Sequence, residues 1–146
     1  MQKINNITDG TYKNIKIIIE QTWLSYYEIK KEDFLCYKEK DKIIAFWRIF
    51  NIWWNDYELS SLWVDKNYRW KKLWIEIIKD LLNNKFNNDN NLFLACKKEI
   101  QNYYKKVNFE IVDENIPGKL EWTLRWWKEN NFYAIIMKYN KKLWKN

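Results

Sequence analysis

The stretch from Glu58 to Lys85 constrains the fold most tightly, because a strand pattern passes through a short polar turn into a helix pattern. Residues 57–64 alternate as a strand does, which places Glu58, Ser60, Leu62 and Val64 on one face. Residues 69–86 then carry an apolar stripe at helical spacing. Its members are Leu73, Trp74, Ile77, Ile78, Leu81 and Leu82. A short apolar strand at residues 92–96 follows, so the stretch predicts a β-α-β unit with local parallel pairing.

The helix in this unit begins among cations. Arg69, Lys71 and Lys72 cluster where a helix N-terminus already carries roughly half a positive charge. Unsatisfied N–H groups also point outward there. Two interpretations fit: a phosphate-binding strand–loop–helix, or a solvated basic turn.

The remaining patterns predict a mixed fold. We expect strands at 3–7, 34–38, 43–51, 109–112 and 131–139, helices at 11–24 and 99–107, and turns at Trp53–Asp56 and Pro117–Gly118. The predicted order is β-α-β-β-β-α-β-α-β-β. The fold class is therefore α/β (α+β): one domain over residues 1–146, with a mixed, mostly antiparallel sheet flanked by helices on both faces.

Composition excludes several kinds of chemistry. The chain has no histidine, which rules out Ser-His-Asp and Cys-His nucleophile systems and argues against a catalytic zinc. Cys36 and Cys96 are far apart and match no metal spacing, so we expect no metal and two buried thiols. Acid–base work must then fall to Glu, Asp, Tyr, Lys, Cys or water.

The formal charge of +7 favours anionic partners: nucleic acid, a membrane surface or a phosphorylated cofactor. No recognisable nucleic-acid-binding motif is present, and no segment gathers Lys on one helical face and Trp on the other. Because no apolar run approaches the roughly 20 residues that span a bilayer and no signal peptide is evident, we expect a cytoplasmic protein without membrane association.

Two motifs resemble the GNAT family of N-acetyltransferases. Leu62-Trp63-Val64, followed by Arg69-Trp70-Lys71-Lys72-Leu73-Trp74, is similar to the family's strand end and Arg/Gln-x-x-Gly-x-Gly/Ala helix start. The segment Tyr104–Phe109 is similar to its Tyr-x-x-x-Gly-Phe motif, with Asn108 in place of the glycine. The resemblance runs from about Ile43 to Val112.

This resemblance implies an acyltransferase that uses acetyl-CoA as co-substrate and no metal. The helix start at Arg69–Trp74 would hold the pyrophosphate, and the pantetheine arm would run along Leu62–Val64. The N–H of Val64 or of its neighbour would polarise the thioester carbonyl. Glu58 is then the candidate base, with a surface carboxylate as the competing interpretation, and Tyr104 is the candidate acid.

The acceptor implied is a primary amine of a small molecule, an amino acid or a protein, and we expect a monomer or homodimer. Two alternatives stay open. One is a catalytically inactive CoA-binding relative, and the other is a basic nucleic-acid-binding module.

Tryptophan stands where the family has glycine. The chain has 2 glycines and 11 tryptophans, and Trp70 and Trp74 occupy small-residue positions in the helix-start motif. Trp53-Trp54 and Trp126-Trp127 fall where turns are expected. Some genetic codes read UGA as Trp and others as Gly, so we hypothesise that several of these residues are glycines in the native protein.

Overall fold

A computed structural model describes residues 2–4, 6–22, 24, 29–69, 73–84 and 89–141 of the chain. Seven strands form one sheet in the order β1-β2-β3-β4-β5-β7-β6. They are β1 (Gln2–Ile4), β2 (Phe34–Glu39), β3 (Lys42–Trp53), β4 (Asp56–Val64), β5 (Asn91–Lys97), β6 (Phe109–Val112) and β7 (Ala134–Tyr139). The α-helices of the described residues are α1 (Asp9–Thr22), α2 (Leu73–Asn84), α3 (Gln101–Lys105) and α4 (Gly118–Glu129). The predicted mixed, mostly antiparallel sheet with flanking helices is confirmed.

The β-α-β unit is also present. Residues Asp56–Glu58 of β4 pair in parallel with Asn91–Phe93 of β5, and α2 lies between these strands in the sequence. The other registered pairs are antiparallel: β1 with β2, β2 with β3, β5 with β7, and β6 with β7. Parallel pairing needs a crossover of this kind, because a short turn cannot return the chain to the same end of the sheet.

The sequence prediction was wrong about residues 117–129. Pro117 and Gly118 were expected to form a turn, and Trp126-Trp127 another, but Gly118–Glu129 is helix α4. Pro117 has extended backbone, and its carbonyl accepts the N–H groups of Leu120 and Glu121, at 2.9 and 3.1 Å. Helix formation wins here because Leu120 and Leu124, four residues apart, pack on one apolar cluster.

The chain divides into two compact units. Unit 1 contains residues 1–50 and 59–74, and unit 2 contains residues 51–58 and 75–146. The core of unit 1 packs α1 against β2 and β3, through residues including Ile15, Ile19, Phe34 and Phe46. The core of unit 2 contains Phe93, Leu120 and Ile136. The single domain over 1–146 stays a prediction.

Regular alternation along β4 fails at Ser61. This buried residue has φ 55°, in the left-handed region that L-residues seldom adopt within a strand. The sequence analysis placed Glu58 and Val64 on one face because side chains alternate along an extended strand. That alternation does not hold across Ser61, where the backbone is not extended. Glu58 and Leu59, which are neighbours in sequence, are both buried.

Candidate active site

The end of β4 is tied to the loop that follows it. Arg69 donates from Nε to the carbonyl oxygen of Val64 at 2.8 Å. Within the same loop, the Asp65 carboxylate accepts the Asn67 N–H at 2.9 Å, and the Asp65 carbonyl accepts the Tyr68 N–H at 2.9 Å. Such an Asx turn orders the backbone that carries Arg69. The hydrogen bond from Arg69 to Val64 uses Nε. It does not involve the two Nη groups, which suit bidentate binding of a phosphate.

One hydrogen bond distinguishes the two backbone N–H groups, of Val64 and of its neighbour Asp65, that were predicted as candidates for stabilising the oxyanion. The N–H of Asp65 donates to the carbonyl of Ile44 in β3 at 2.7 Å, so this neighbour of Val64 is already engaged. Successive N–H groups of extended backbone point to opposite edges. The Val64 N–H is therefore directed away from β3. Of the two donors considered from sequence, Val64 is the better placed.

The other residues that the sequence predicts to bind acetyl-CoA lie in different surroundings. Trp63 stacks on Phe46 with ring centroids 5.4 Å apart and belongs to the apolar packing of unit 1. Leu62 is half-buried. At the beginning of α2, Leu73 is buried and Trp74 is half-buried. Trp70, Lys71 and Lys72 lie outside the described residues.

Glu58 is not a surface residue. It is 4% exposed, which rules out the competing interpretation of a solvated strand carboxylate. Its Oε2 accepts a hydrogen bond from Lys119 Nζ at 2.7 Å, in an ion pair whose side chains are 5% and 17% exposed. Both residues belong to unit 2. A buried carboxylate needs such a partner, because an uncompensated charge away from water is strongly destabilising.

Sequence reasoning missed Lys119. It lies in α4, where a turn had been expected, and outside the two motifs between Ile43 and Val112 that carry the main resemblance. A usable signal was present: Leu120, Leu124 and Trp127 are spaced as on one helical face. That spacing would have placed Lys119 at the edge of the buried face, although it could not have identified Glu58 as its partner.

Tyr104 lies on α3, with its ring edge-on to Phe109 at a centroid distance of 6.0 Å. Burial, and secondarily the nearby Cys96 thiol, raises the pKa of its hydroxyl well above the ordinary tyrosine value. The phenol is therefore protonated at neutral pH, as a proton donor must be. Tyr103, the other candidate on this helix, is 49% exposed.

The described residues contain no cluster of three or more His, Cys, Asp or Glu side chains that could hold a metal ion. Within the same residues, none of the helices combines the length and the apolar character that crossing a bilayer requires.

A family model described as "Acetyltransferase (GNAT) family" matches residues 3–109. No curated protein matches the chain in sequence. Among solved structures, Escherichia coli ElaA is 13% identical, with TM-score 0.63, covering 95% of this chain and 97% of that one. The E. coli ribosomal-protein-S18-alanine N-acetyltransferase is 13% identical, with TM-score 0.61, covering 99% and 100%.

N-acetylglutamate synthase from Neisseria gonorrhoeae, complexed with coenzyme A and N-acetyl-glutamate, is 10% identical, with TM-score 0.64. The match covers 94% of this chain but 34% of the synthase, so the chain corresponds to about a third of that protein. At these identities, the likeness concerns the fold.

Proposed function

Because the chain belongs to the acetyltransferase (GNAT) family, we propose that it transfers an acetyl group from acetyl-CoA to a primary amine. Family and fold support acyl transfer in general. The observation that carries the proposal is the strand end at Val64. Its carbonyl accepts a hydrogen bond from Arg69. Because the Asp65 N–H bonds to β3, the alternation of extended backbone would direct the Val64 N–H away from β3.

Donor binding in this proposal uses backbone and cations. The pantetheine arm pairs with the backbone of Leu62–Val64, much as an added strand does. The pyrophosphate is held by the basic segment from Arg69 to Trp74, where N–H groups and cations favour an anion. The Val64 N–H donates to the thioester oxygen as negative charge develops on it.

Chemistry follows from the two candidate proton carriers. The acceptor amine attacks the thioester carbonyl, the C–N bond forms and the C–S bond breaks. The acceptor ammonium first gives one proton to Glu58, directly or through water. The departing CoA thiolate takes a proton from Tyr104, and the second proton that the nitrogen loses restores the phenol. Lys119 occupies Oε2 of Glu58, so the first proton goes to Oε1, or to Oε2 where acceptor binding has displaced Lys119.

The test is calorimetry with acetyl-CoA, on protein whose tryptophan codons have been checked, followed by assay of CoA release with a panel of amines. We expect binding at submillimolar acetyl-CoA, weaker binding of acetyl-pantetheine, and amine-dependent release of the thiol. Absence of acetyl-CoA binding contradicts the proposal.

Two other outcomes point to the alternatives. Acetyl-CoA binding without thiol release for any amine supports an inactive CoA-binding relative. Salt-sensitive binding of nucleic acid, with no affinity for acetyl-CoA, supports a nucleic-acid-binding module.

A further inference from the structure

The ion pair between Glu58 and Lys119 has a consequence for the acceptor. Lys119 Nζ is the nitrogen of a primary amine, and it lies 2.7 Å from the carboxylate that the proposed reaction uses as base. An acceptor ammonium that pairs with this carboxylate competes with Lys119 for it. Lys119, displaced from Glu58, then presents its ammonium group to whatever else the acceptor carries.

The surroundings of the pair are apolar. Glu58 is in register with Phe93 of β5, and Leu120 follows Lys119 in α4. Phe93 and Leu120 are 3% and 0% exposed and belong to the core cluster of unit 2. Charge introduced beside such a cluster is poorly solvated, and an ion there is strongly destabilising unless it is paired.

Charge balance therefore discriminates between acceptors. The Glu58–Lys119 pair is neutral as a whole. A simple amine binds mainly as an ammonium ion, because alkyl amines have pKa values near 10.4, and it would leave the site with one excess positive charge. A zwitterion brings no net charge, and both of its charged groups can be paired: its ammonium with Glu58 and its carboxylate with Lys119.

We propose that Glu58 and Lys119 form an acceptor subsite selective for a free α-amino acid, in which Lys119 binds the α-carboxylate. The inference rests on the proposed acetyltransferase function and names its acceptor class. The product would be an N-acetyl amino acid. Peptide and protein N-termini, whose α-carboxyl group is an amide, fall outside this class.

The experiment compares each standard L-amino acid with its own α-amide, using acetyl-CoA and measuring release of the CoA thiol. The amide keeps the shape of the acceptor and removes its negative charge. We expect at least one amino acid to be acetylated, with kcat/KM about a hundredfold or more above that of its amide, because a site built for a polar group rejects the analogue that lacks it.

Variants of Lys119 identify the group responsible. Lys119→Met should abolish the preference for the amino acid, and Lys119→Arg should retain most of it. Lys128→Met removes an exposed lysine from the same helix and should leave the preference unchanged. Thermal unfolding shows whether Lys119→Met folds. If it does not, Lys119→Gln, which keeps a long polar side chain and removes the charge, takes its place: loss of the preference supports the proposal, and an unchanged ratio of amino acid to amide overturns it.

Equal or faster acetylation of the amides overturns the inference and leaves the proposed function standing. A preference that persists unchanged in Lys119→Met overturns it as well. If acetyl-CoA does not bind at all, the proposed function fails, and the inference fails with it.

Discussion

Arg69 bonds back to Val64, with its Nε 2.8 Å from the carbonyl that ends β4. The cation and the strand end are thereby fixed relative to each other. In the proposed reaction, Arg69 contributes to binding of the pyrophosphate, and the strand end at Val64 polarises the thioester. The groups that contact these two parts of acetyl-CoA are therefore held in place within one loop.

Arg69→Ala should weaken acetyl-CoA binding. Hydrogen bonds to charged groups contribute about 1.5–3 kcal/mol each, so we expect a loss of roughly tenfold to a hundredfold in affinity. Arg69→Lys should be intermediate, because an ammonium cannot make the same paired contacts. Calorimetry measures both. Lys66→Ala, which removes an exposed cation from the same loop, is the matched control. An equal loss of acetyl-CoA affinity in Lys66→Ala would show that Arg69→Ala acts only through the net charge of the protein.

Tyr104→Phe should reduce kcat by about 10²- to 10⁴-fold, with little change in acetyl-CoA affinity. Tyr103→Phe is the control, because that side chain is exposed. The raised pKa of Tyr104 also predicts that loss of its proton does not limit kcat near pH 10, where an ordinary tyrosine begins to ionise. Equal losses in kcat and in affinity would argue against the acid role.

Trp54→Gly should stabilise the protein by about 1 kcal/mol, since left-handed backbone costs an L-residue roughly 1–2 kcal/mol. Trp54 has φ 51° in the two-residue loop between β3 and β4, and 78% of it is exposed, so little packing is lost. Two-residue hairpin loops favour glycine at such positions.

The neighbouring residue supplies the control. Trp53 is the last residue of β3, and Trp53→Gly should destabilise by about 0.5–1 kcal/mol, because glycine weakens a strand. Denaturant unfolding measures both variants. The coding sequence tests the glycine hypothesis directly, which fails if Trp53, Trp54, Trp70 and Trp74 are all encoded by UGG.

Alkaline pH should destabilise the fold through its two thiols. Burial raises the pKa values of Cys36 and Cys96 to about 11, above those of the unfolded chain. Between the unfolded value, about 8.5, and the folded value, the folded state binds more protons than the unfolded state, so the free energy of unfolding falls as pH rises. Below this window the thiols contribute fully.

Denaturant unfolding at about pH 8 and about pH 10.5 measures this slope. A Cys36→Ala/Cys96→Ala variant should show a shallower fall. In the folded protein, both thiols should also react slowly with thiol reagents at neutral pH, because the thiolate is the reactive form. An unchanged slope in the double variant would assign the alkaline effect to other groups.

Local sequence patterns were sufficient for most of the sheet. Strand β6 was predicted with its observed bounds. The β-α-β unit was recognised because the spacing of apolar residues in its strands differs clearly from the spacing in its helix. Helix α4 was missed because Pro117-Gly118 resembles a turn until the packing of Leu120 and Leu124 is known. The left-handed backbone at Ser61 gives no sequence signal, since serine rarely adopts it.

The candidate site was predictable only in part. Glu58 and Tyr104 follow from motifs, but the burial of Glu58 and the identity of its partner depend on a contact between residues separated by 61 positions. No periodicity within one element encodes such a contact. The preference for Val64 over Asp65 as the proposed oxyanion donor likewise depends on a bond to β3.

Helix α4 lies beyond residues 3–109, the part that the family model matches, yet it supplies the lysine that contacts the candidate base. In the proposed enzyme, acceptor choice would then depend in part on a residue outside the stretch that contains the acetyl-CoA-binding residues. Evolution could retarget such an enzyme by exchanging a single helix, and an engineer could do the same by grafting α4 from one relative into another while leaving the acetyl-CoA residues untouched.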